Sequence, residues 1–290
     1  MKRIKFIFFI AISILVIAGC GEKVDIKNID INKFAKERKS FNTNILIKSP
    51  APQEYEEETV PEEVKEIKYK SGELELKAWI STPLEEGKKY PAVVFAHGGF
   101  AFGSEDWECA EKYAKNGFIV MATTVRGENG NPGNFEYFYG EVDDVIAAGN
   151  YLKAQSYIDG DKIFLSGHSV GGTISMLTSM LPSPYKAIAS FGGSPEQKSY
   201  FFYREERIPF NYKDKEEVKL RSPIENIESI QKPLFVYVGT KDYEYRWNSR
   251  KFVKKAKKQS KMCELVEIEG DHFTSLNESI KDSIKRFKNM

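Results

Sequence analysis

The feature that most constrains the fold is an alternation of short apolar runs with amphipathic helical patterns. The apolar runs cover residues 92–96, 118–122, 163–165, 187–191 and 234–238, and the helical patterns cover residues 105–116, 141–155, 170–181, 247–259 and 275–288. Continuous apolar runs of this length are typical of strands buried on both faces of a sheet. Strands that alternate with helices are joined by right-handed crossovers, so we expect a mostly parallel sheet with helices on both faces.

An antiparallel hairpin is expected before the first of these runs. Residues 74–80 alternate between apolar and polar side chains, and residues 64–70 precede them across Ser71-Gly72. Such period-two alternation around a short turn predicts two paired, half-buried strands.

The chain begins with the pattern of a secretory signal peptide. Lys2, Arg3 and Lys5 precede an apolar run over residues 6–18, which is shorter than the roughly 20 residues that span a membrane. The run ends in Ile17-Ala18-Gly19-Cys20, which resembles the lipobox of bacterial lipoproteins. We therefore expect cleavage before Cys20 and its lipidation, which would anchor the protein in the bacterial cell envelope, facing outside the cytoplasm. The alternative is an ordinary signal peptide with a cysteine nearby by chance.

The segment after the cysteine is polar. Residues 49–63 contain three prolines and a run of acidic side chains, which bury little surface and so predict an extended, solvated chain. We expect residues 1–19 to be the signal peptide, residues 20–60 a lipidated tether that docks partly near residues 34–47, and residues 61–290 the catalytic domain. Cys109 and Cys263 are expected to be buried free thiols.

Charge argues against nucleic-acid binding, and residue spacing argues against a metal site. The formal net charge is +1, and without the three basic residues of the signal segment it is −2, from 40 basic against 42 acidic side chains. No basic field is available to hold nucleic acid. No His, Cys and carboxylate cluster has metal-ligand spacing, so neither a metal nor another cofactor is expected.

A serine between glycines follows one of the predicted strands. Gly167, Ser169 and Gly171 form a G-x-S-x-G pattern with a predicted helix after it. This is the context of a nucleophile elbow, in which a tight strand-to-helix turn projects the serine hydroxyl from the sheet. We therefore predict an α/β-hydrolase fold with Ser169 as the nucleophile. A chance serine in a glycine-containing loop is the alternative.

Order and elimination predict the general base. The chain has three histidines, His97, His168 and His272, and only His272 follows Ser169. In this fold the triad runs serine, acid, histidine. His272 follows the strand pattern of residues 265–268, so it should lie in a loop at a strand's carboxyl end. There it could take the serine proton.

The orienting acid should lie between these two residues. Asp242 follows the buried strand of residues 234–238 and is the preferred candidate. Asp271 competes, but as the neighbour of His272 its side chain should point elsewhere. Glu244 is a second competitor, two residues beyond Asp242.

Backbone amides near the sheet's edge should form the oxyanion hole. The sequence Phe95-Ala-His-Gly-Gly-Phe100 ends an early strand, and we predict that the N–H groups of Gly99, Phe100 and Val170 hold the oxyanion. His97 is expected to pack under this loop and hold it by a hydrogen bond. His168 should point away from the nucleophile.

These residues together resemble the catalytic domain of the prolyl oligopeptidase family and its dienelactone-hydrolase-like relatives, over about residues 64–290. The matching stretches are His97-Gly-Gly, Val125-Arg-Gly127, residues 143–152 with 167–172, and Ser222-Pro223 upstream of Lys232-Pro233 and Asp242. The resemblance implies an eight-stranded, mainly parallel sheet and a Ser169–Asp242–His272 triad. It also implies a structural role for Arg126, bonding loops near the site.

The chain departs from the family in two respects. The family often has His-Gly before the acid loop, where this chain has Val238-Gly239. Its oligopeptidases carry an N-terminal β-propeller, and about 40 residues of tether are too few for one. We therefore expect a serine hydrolase acting on a small-molecule ester or a peptide, with both bond types open. The rival is a surface-anchored, non-catalytic binding module, which the presence of every triad residue disfavours.

Residues 194–224 form an apparent insertion rich in aromatic side chains. These are Tyr200, Phe201, Phe202, Tyr203, Phe210 and Tyr212. They predict either a short helical lid with an aromatic inner face or an excursion whose aromatics pack into the edge of the core. Residues 127–139 are a second candidate for the rim of the substrate pocket.

Overall fold

The computed structural model describes residues 30–83, 85, 87–202 and 207–290. Cys20 and the signal segment lie outside the described residues, so the predicted cleavage and lipidation stay predictions. Within the described ranges, no helix is both long and apolar enough to cross a membrane.

Strands and helices alternate along the described chain. The strands are β1 (Val64–Ser71), β2 (Leu74–Ser81), β3 (Tyr90–Ala96), β4 (Ile119–Thr123), β5 (Ile158–His168), β6 (Ala187–Phe191), β7 (Leu234–Gly239) and β8 (Cys263–Ile268). The α-helices are α1 (Lys33–Ser40), α2 (Ser104–Ala114), α3 (Gly140–Lys153), α4 (Val170–Thr178), α5 (Lys198–Phe202), α6 (Lys215–Lys219), α7 (Tyr243–Lys258) and α8 (Leu276–Lys288). Two 3-10 turns, Pro223–Glu225 and Ile227–Ser229, precede β7.

The strands form one eight-stranded sheet in the order β1-β2-β4-β3-β5-β6-β7-β8. β2 is antiparallel to both β1 and β4, and the remaining neighbours are parallel. The predicted hairpin and the mostly parallel eight-stranded sheet of an α/β-hydrolase are therefore confirmed. All strands from β3 onward run the same way, so their carboxyl ends meet at one edge.

Helices cover both faces of this sheet. Val94 of β3 contributes to the core beneath α3, α4 and α7, whereas its neighbours Val93 and Phe95 contribute to the core beneath α2 and α8. Successive side chains of a strand point to opposite faces, so a strand buried on both faces needs a continuous apolar run. This is the pattern that predicted the strands.

Two helix boundaries differ from the predicted ones by three residues or more. α7 begins at Tyr243 rather than residue 247, because its first turn exposes Tyr243 and Glu244 and so lacks apolar periodicity. α4 ends at Thr178 rather than residue 181, where the amide of Met180 bonds to the carbonyl of Leu177 in a tighter turn.

The N-terminal segment docks on the domain, as predicted for residues 34–47. Phe34 is fully buried, and the Arg38 guanidinium lies 4.2 Å from the Tyr139 ring centroid while donating to the Tyr139 carbonyl at 3.0 Å. Ile45 forms an isolated bridge with Phe210. The described part of the expected tether is therefore attached to the catalytic domain.

Residues 49–58, called the strap below, continue across the loops at the sheet's carboxyl edge. The strap is mostly exposed and has no helix or strand, as predicted. Its backbone is nevertheless fixed, because Ala51 N–H donates to the Gly127 carbonyl and Phe135 N–H donates to the Ser49 carbonyl, both at 2.9 Å.

The aromatic insertion is mixed in character. Phe201 and Phe210 are buried in the core, Phe202 is 67% exposed, and Tyr200 packs against Tyr137 of the second rim segment at 5.9 Å between ring centroids. The buried rings match the core-packing alternative, and a lid function stays a prediction. Both described thiols are free, with Cys263 buried and Cys109 only partly so.

Candidate active site

Ser169 occupies a strained turn between β5 and α4. Its backbone angles, φ 51° and ψ −107°, lie in a region that non-glycine residues rarely adopt. The turn is tight, because a Cβ added at Gly167 would overlap the Gly171 carbonyl and one added at Gly171 would overlap the Ala96 carbonyl. The two motif glycines are therefore required sterically, and Ser169 is left partly exposed at the carboxyl edge of the sheet.

The His272 ring lies against the backbone that holds Ser169. The Ser169 amide donates to the Phe191 carbonyl at 2.8 Å. At the next residue, Gly192, an added Cβ would stand 2.8 Å from Cε1 and 2.9 Å from Nδ1 of His272. Only a residue without a side chain at position 192 leaves the imidazole room beside the nucleophile turn.

His272 is bonded to the predicted acid. Its Nδ1 lies 2.7 Å from Asp242 Oδ2, and the two side chains are 18% and 11% exposed. The loops that carry them are joined, since Thr240 N–H donates to the Ile268 carbonyl and Lys241 N–H to the Gly270 carbonyl, both at 2.8 Å. A carboxylate at Nδ1 leaves Nε2 as the nitrogen that can exchange a proton.

Neither competing acid bonds to the His272 ring within the described chain. Asp271 Oδ1 accepts hydrogen bonds from the Phe273 and Thr274 amides and from the Thr274 hydroxyl, at 2.8–3.0 Å. These bonds, from Thr274 first, lower the pKa of Asp271 and hold its carboxylate in its own loop. Glu244 is exposed on the first turn of α7. Asp242 is therefore the acid placed to orient the imidazole.

The predicted oxyanion-hole amides differ in their partners. Among the described residues, the N–H groups of Gly99 and Val170 have no acceptor, whereas Phe100 N–H donates to Gln53 Oε1 at 2.9 Å. The Gly171 amide donates to the His97 carbonyl at 3.0 Å, which ties the start of α4 to the glycine loop. Two open amides, from the two loops that flank Ser169, are thus available to a developing oxyanion.

His97 lies beneath this loop, as predicted. Its Nε2 is 2.8 Å from Glu128 Oε2, its Nδ1 is 2.8 Å from the Gly98 carbonyl, and both side chains of the pair are buried. Burial alone lowers the pKa of His97, but the attraction and hydrogen bond of Glu128 outweigh it and raise the pKa to about 9. The ion pair fixes the base of the loop that carries Gly99.

His168 is a neutral packing residue. Burial, with repulsion from His272, lowers its pKa to about 4, and its Nε2 lies 3.3 Å from the His272 carbonyl oxygen.

Arg126 has the structural role that the family resemblance implied. It makes a two-pronged contact with Asp144 at 2.8 and 2.9 Å and a 2.8 Å bond to Glu136, which fasten the rim to α3.

Gln53 is the contact that the sequence did not indicate. It belongs to the strap, and an added Cβ at Gly99 would stand 2.6 Å from its Oε1. The strap is also bonded through Glu58, whose Oε1 accepts from the Ser104 amide at 3.2 Å. No local signal in a proline-rich acidic segment predicts a contact with a loop more than 40 residues away, since tertiary packing alone brings them together.

Within the described chain, no group of three or more His, Cys, Asp or Glu side chains is arranged to hold a metal. The arrangement of Ser169, His272 and the open amides suits acyl transfer by side-chain and backbone groups.

Two family models match this chain. The model of the prolyl oligopeptidase family matches residues 106–288, more than half of the chain, and that of acetyl xylan esterase matches residues 30–135. The second match includes the docked N-terminal segment and the strap.

Curated relatives include peptidases of different lengths. The uncharacterized peptidase YtmA of Bacillus subtilis is 27% identical over 186 residues, which are 61% of this chain and 72% of the relative. Dipeptidyl peptidase 8 of Mus musculus is 31% identical over 123 residues, which are 38% of this chain but only 14% of that protein.

Solved structures share the fold at low identity. The Pyrococcus horikoshii acylaminoacyl peptidase superposes with a TM-score of 0.62 at 24% identity, over 78% of this chain and 40% of that one. The esterase Est2 of Thermogutta terrifontis superposes with a TM-score of 0.63 at 23% identity, over 79% of this chain and 92% of the esterase.

Proposed function

The chain belongs to the prolyl oligopeptidase family and is a serine hydrolase, and from this premise we propose that Ser169, His272 and Asp242 cleave ester or amide bonds through an acyl-enzyme. The observation that carries the proposal is the placement of the Asp242-bound His272 ring against Gly192, beside the strained turn that presents Ser169. A hydroxyl and an imidazole with a buried carboxylate behind it form the usual machinery of acyl transfer.

The chemistry follows from the two ring nitrogens of His272. Nδ1 is held by Asp242, so Nε2 takes the proton of Ser169 as its oxygen attacks the substrate carbonyl carbon. The carbonyl oxygen becomes an oxyanion. When the tetrahedral intermediate collapses, the bond to the leaving alcohol or amine breaks and His272 returns the proton to it. Water then attacks the acyl-enzyme by the same route, which releases the acid and restores Ser169.

The amides of Gly99 and Val170 are proposed to hold the oxyanion. Such donors act because they are fixed before charge develops, and removing one typically costs about a hundredfold or more in rate. Gln53 is proposed as a positioning residue here, since its carboxamide accepts from Phe100 N–H, next to Gly99, at 2.9 Å. The strap would thereby hold the oxyanion loop from outside while the His97–Glu128 pair holds it from beneath.

The substrate is proposed to present an apolar group beside its carbonyl. Phe100 follows Gly99 directly, and its ring packs edge-on against Phe135 and Tyr137 at 5.1 and 5.2 Å between centroids. Aromatic side chains of this kind favour apolar or aromatic groups of a ligand. Esters and aminoacyl amides are both candidates, because relatives and structural neighbours named as peptidases and as an esterase share this fold.

The proposal is tested by labelling the purified protein with a fluorophosphonate, which forms a phosphonate ester on an activated serine as fluoride leaves. The wild type and Ser194→Ala are expected to be labelled, and Ser169→Ala is not. Ser194 is a matched control because its hydroxyl bonds to the Glu196 carbonyl instead of facing the site. His272→Ala should lower the labelling rate by at least about a thousandfold, and Asp242→Asn by a similar factor.

Hydrolysis of short-chain esters and aminoacyl amides by the same variants then separates the two bond types. A folded wild type that neither takes the label nor turns over any substrate would overturn the proposal and support the non-catalytic binding module instead.

A further inference from the structure

Helix α7 and the residues after it carry a concentrated positive charge. From Arg246 to Lys261 the chain has eight Lys and Arg side chains and no acid, whereas the whole chain carries only +1. This segment contributes +8, so the rest of the chain carries −7. The near-zero charge of the whole chain therefore conceals a strongly basic segment.

Four of these cations form one stripe, called the basic face. Spacings of three, four and seven residues place them on the side of α7 opposite its buried residues, and all are exposed. The members are Lys251, Lys254, Lys255 and Lys258. In the part of the chain that the structure describes, no carboxylate pairs with them. Arg246 and Arg250 instead share one carboxylate, that of Glu267, at 2.6 and 2.9 Å.

An exposed tryptophan continues the stripe toward the start of the helix. Trp247 lies one turn before Lys251 and is 71% exposed, whereas Trp79 and Trp107 are each only 6% exposed. Met262, just past the far end of the helix, is 62% exposed. A basic helix face that also presents tryptophan is typical of segments that lie on a membrane surface, where indole rings favour the interface.

The N-terminal chain enters the described structure beside the end of this helix. Lys33 pairs with Glu228 at 2.9 Å, and the Lys261 ammonium donates to the Glu228 carbonyl. Cys20 precedes Asp30 by ten residues, which span at most about 36 Å when fully extended. A lipid at Cys20, as the sequence predicts, would hold the basic face within reach of the same bilayer.

We propose that the basic face and Trp247 form a docking surface for an anionic lipid bilayer. Several lysines within a Debye length of negative headgroups supply an attraction that adds to the binding by the lipid anchor. The lysines of this surface lie away from the candidate catalytic residues, since Lys251 is about 12 Å along the helix axis from Tyr243, which follows Asp242, whereas Trp247 is about 6 Å from Tyr243. Docking and hydrolysis of a soluble ester are therefore separable measurements.

The test uses the full chain and sedimentation with vesicles of pure phosphatidylcholine, or of phosphatidylcholine with about one third phosphatidylglycerol. The N-terminus contributes to both through its apolar run, and Lys2, Arg3 and Lys5 favour the anionic vesicles in every variant. The part of the gain on anionic vesicles that depends on the basic-face lysines therefore reports the charged surface. Replacing the four basic-face lysines by Gln should reduce that gain at least about tenfold. The matched control replaces by Gln three lysines of β1 (Lys65, Lys68 and Lys70) and Lys89, which directly precedes β3. α7 packs on β7 and β8, and β8 is the sheet edge opposite β1.

Tryptophan fluorescence supplies a second readout. Because the other two tryptophans are buried, a blue shift of the emission on anionic vesicles reports Trp247, and Trp247→Phe should abolish it. Circular dichroism checks that each variant is folded. Equal binding of the wild type to both vesicles, or equal loss in the two lysine variants, would overturn the proposal. A gain that the basic-face variant keeps would do the same.

Discussion

Residue-scale strain and close contact define the candidate site. Ser169 is held at positive φ. The loops around it pack so closely that a single methyl group added at Gly167, Gly171 or Gly192 would overlap a neighbouring group. In such a site a small displacement of the base costs more in rate than in stability, because proton transfer requires near-ideal geometry.

Gly192 gives a direct test of this geometry. A Cβ there would meet the His272 ring at 2.8 Å, and its φ of +60° disfavours any side chain. We expect Gly192→Ala to lower kcat for a soluble ester by about a hundredfold. Gly72→Ala is the matched control, since Gly72 has φ +57° but no atom within 4 Å of the added Cβ. It should lose about 1 kcal/mol of stability and keep its activity. Similar activities in the two variants would contradict this role of Gly192.

Gln53 tests whether the strap supports the oxyanion loop. In Gln53→Ala the Phe100 amide loses its acceptor, so we expect kcat to fall several-fold with little change in KM. Glu57→Ala, an exposed change in the same strap, should leave both constants unaltered. A higher kcat in Gln53→Ala would show that the carboxamide obstructs the site instead of positioning it.

At the scale of elements, the N-terminal segment is the least regular part of the fold and yet is attached at several points. α1 inserts Phe34 into the core and stacks Arg38 on Tyr139, and the strap bonds to loops on both sides of the site. Because segments without regular structure gain little from their own hydrogen bonds, the attachment of this one depends on its buried anchors.

Removal of the largest anchor measures this contribution. Phe34 is 0% exposed, so Phe34→Ala should lower the free energy of unfolding by about 3 kcal/mol, through lost burial and a residual cavity. Leu46→Ala, in the same segment but 61% exposed, should change it by less than about 0.5 kcal/mol. Urea unfolding followed by circular dichroism distinguishes the two. Equal effects would mean that α1 does not dock through Phe34.

At the scale of the whole molecule, stability should depend on pH through the buried His97–Glu128 pair. The fold raises the pKa of His97 from 6.5 to about 9, so the folded chain binds the proton more tightly than the unfolded one. Its contribution is complete below the unfolded value and is lost as pH rises through the folded one. Between these values the free energy of unfolding should fall by up to about 3 kcal/mol.

The variant Glu128→Gln separates this effect from other titrations. It removes the partner that raises the pKa, so its stability should be lower near neutral pH and should decline less between pH 6.5 and about 9. Burial and Glu136 raise the pKa of Glu141 to about 7, but this titration is common to both proteins. Urea unfolding at several pH values provides the measurement. Parallel curves for the two proteins would exclude His97 as the group responsible.

The sequence by itself determined the parts of this protein that depend on local pattern. Continuous apolar runs require strands buried on both faces, and their alternation with helices allows few topologies other than a mostly parallel sheet. The close approach at Gly167 and Gly171 is equally local, because the motif and the turn occupy the same few residues. Chain order singled out His272, the one histidine after Ser169.

Only the tertiary structure decided which groups share a space. It joined His272 to Asp242 and turned the Asp271 side chain back into its own loop. Which of the two acids meets the imidazole depends on the direction of the backbone at each one. It also placed Gln53 on the oxyanion loop and the N-terminal chain beside the basic end of α7. These contacts join residues far apart in sequence. Their energies come from packing and hydrogen bonds that exist only once the core has formed, so no local pattern encodes them.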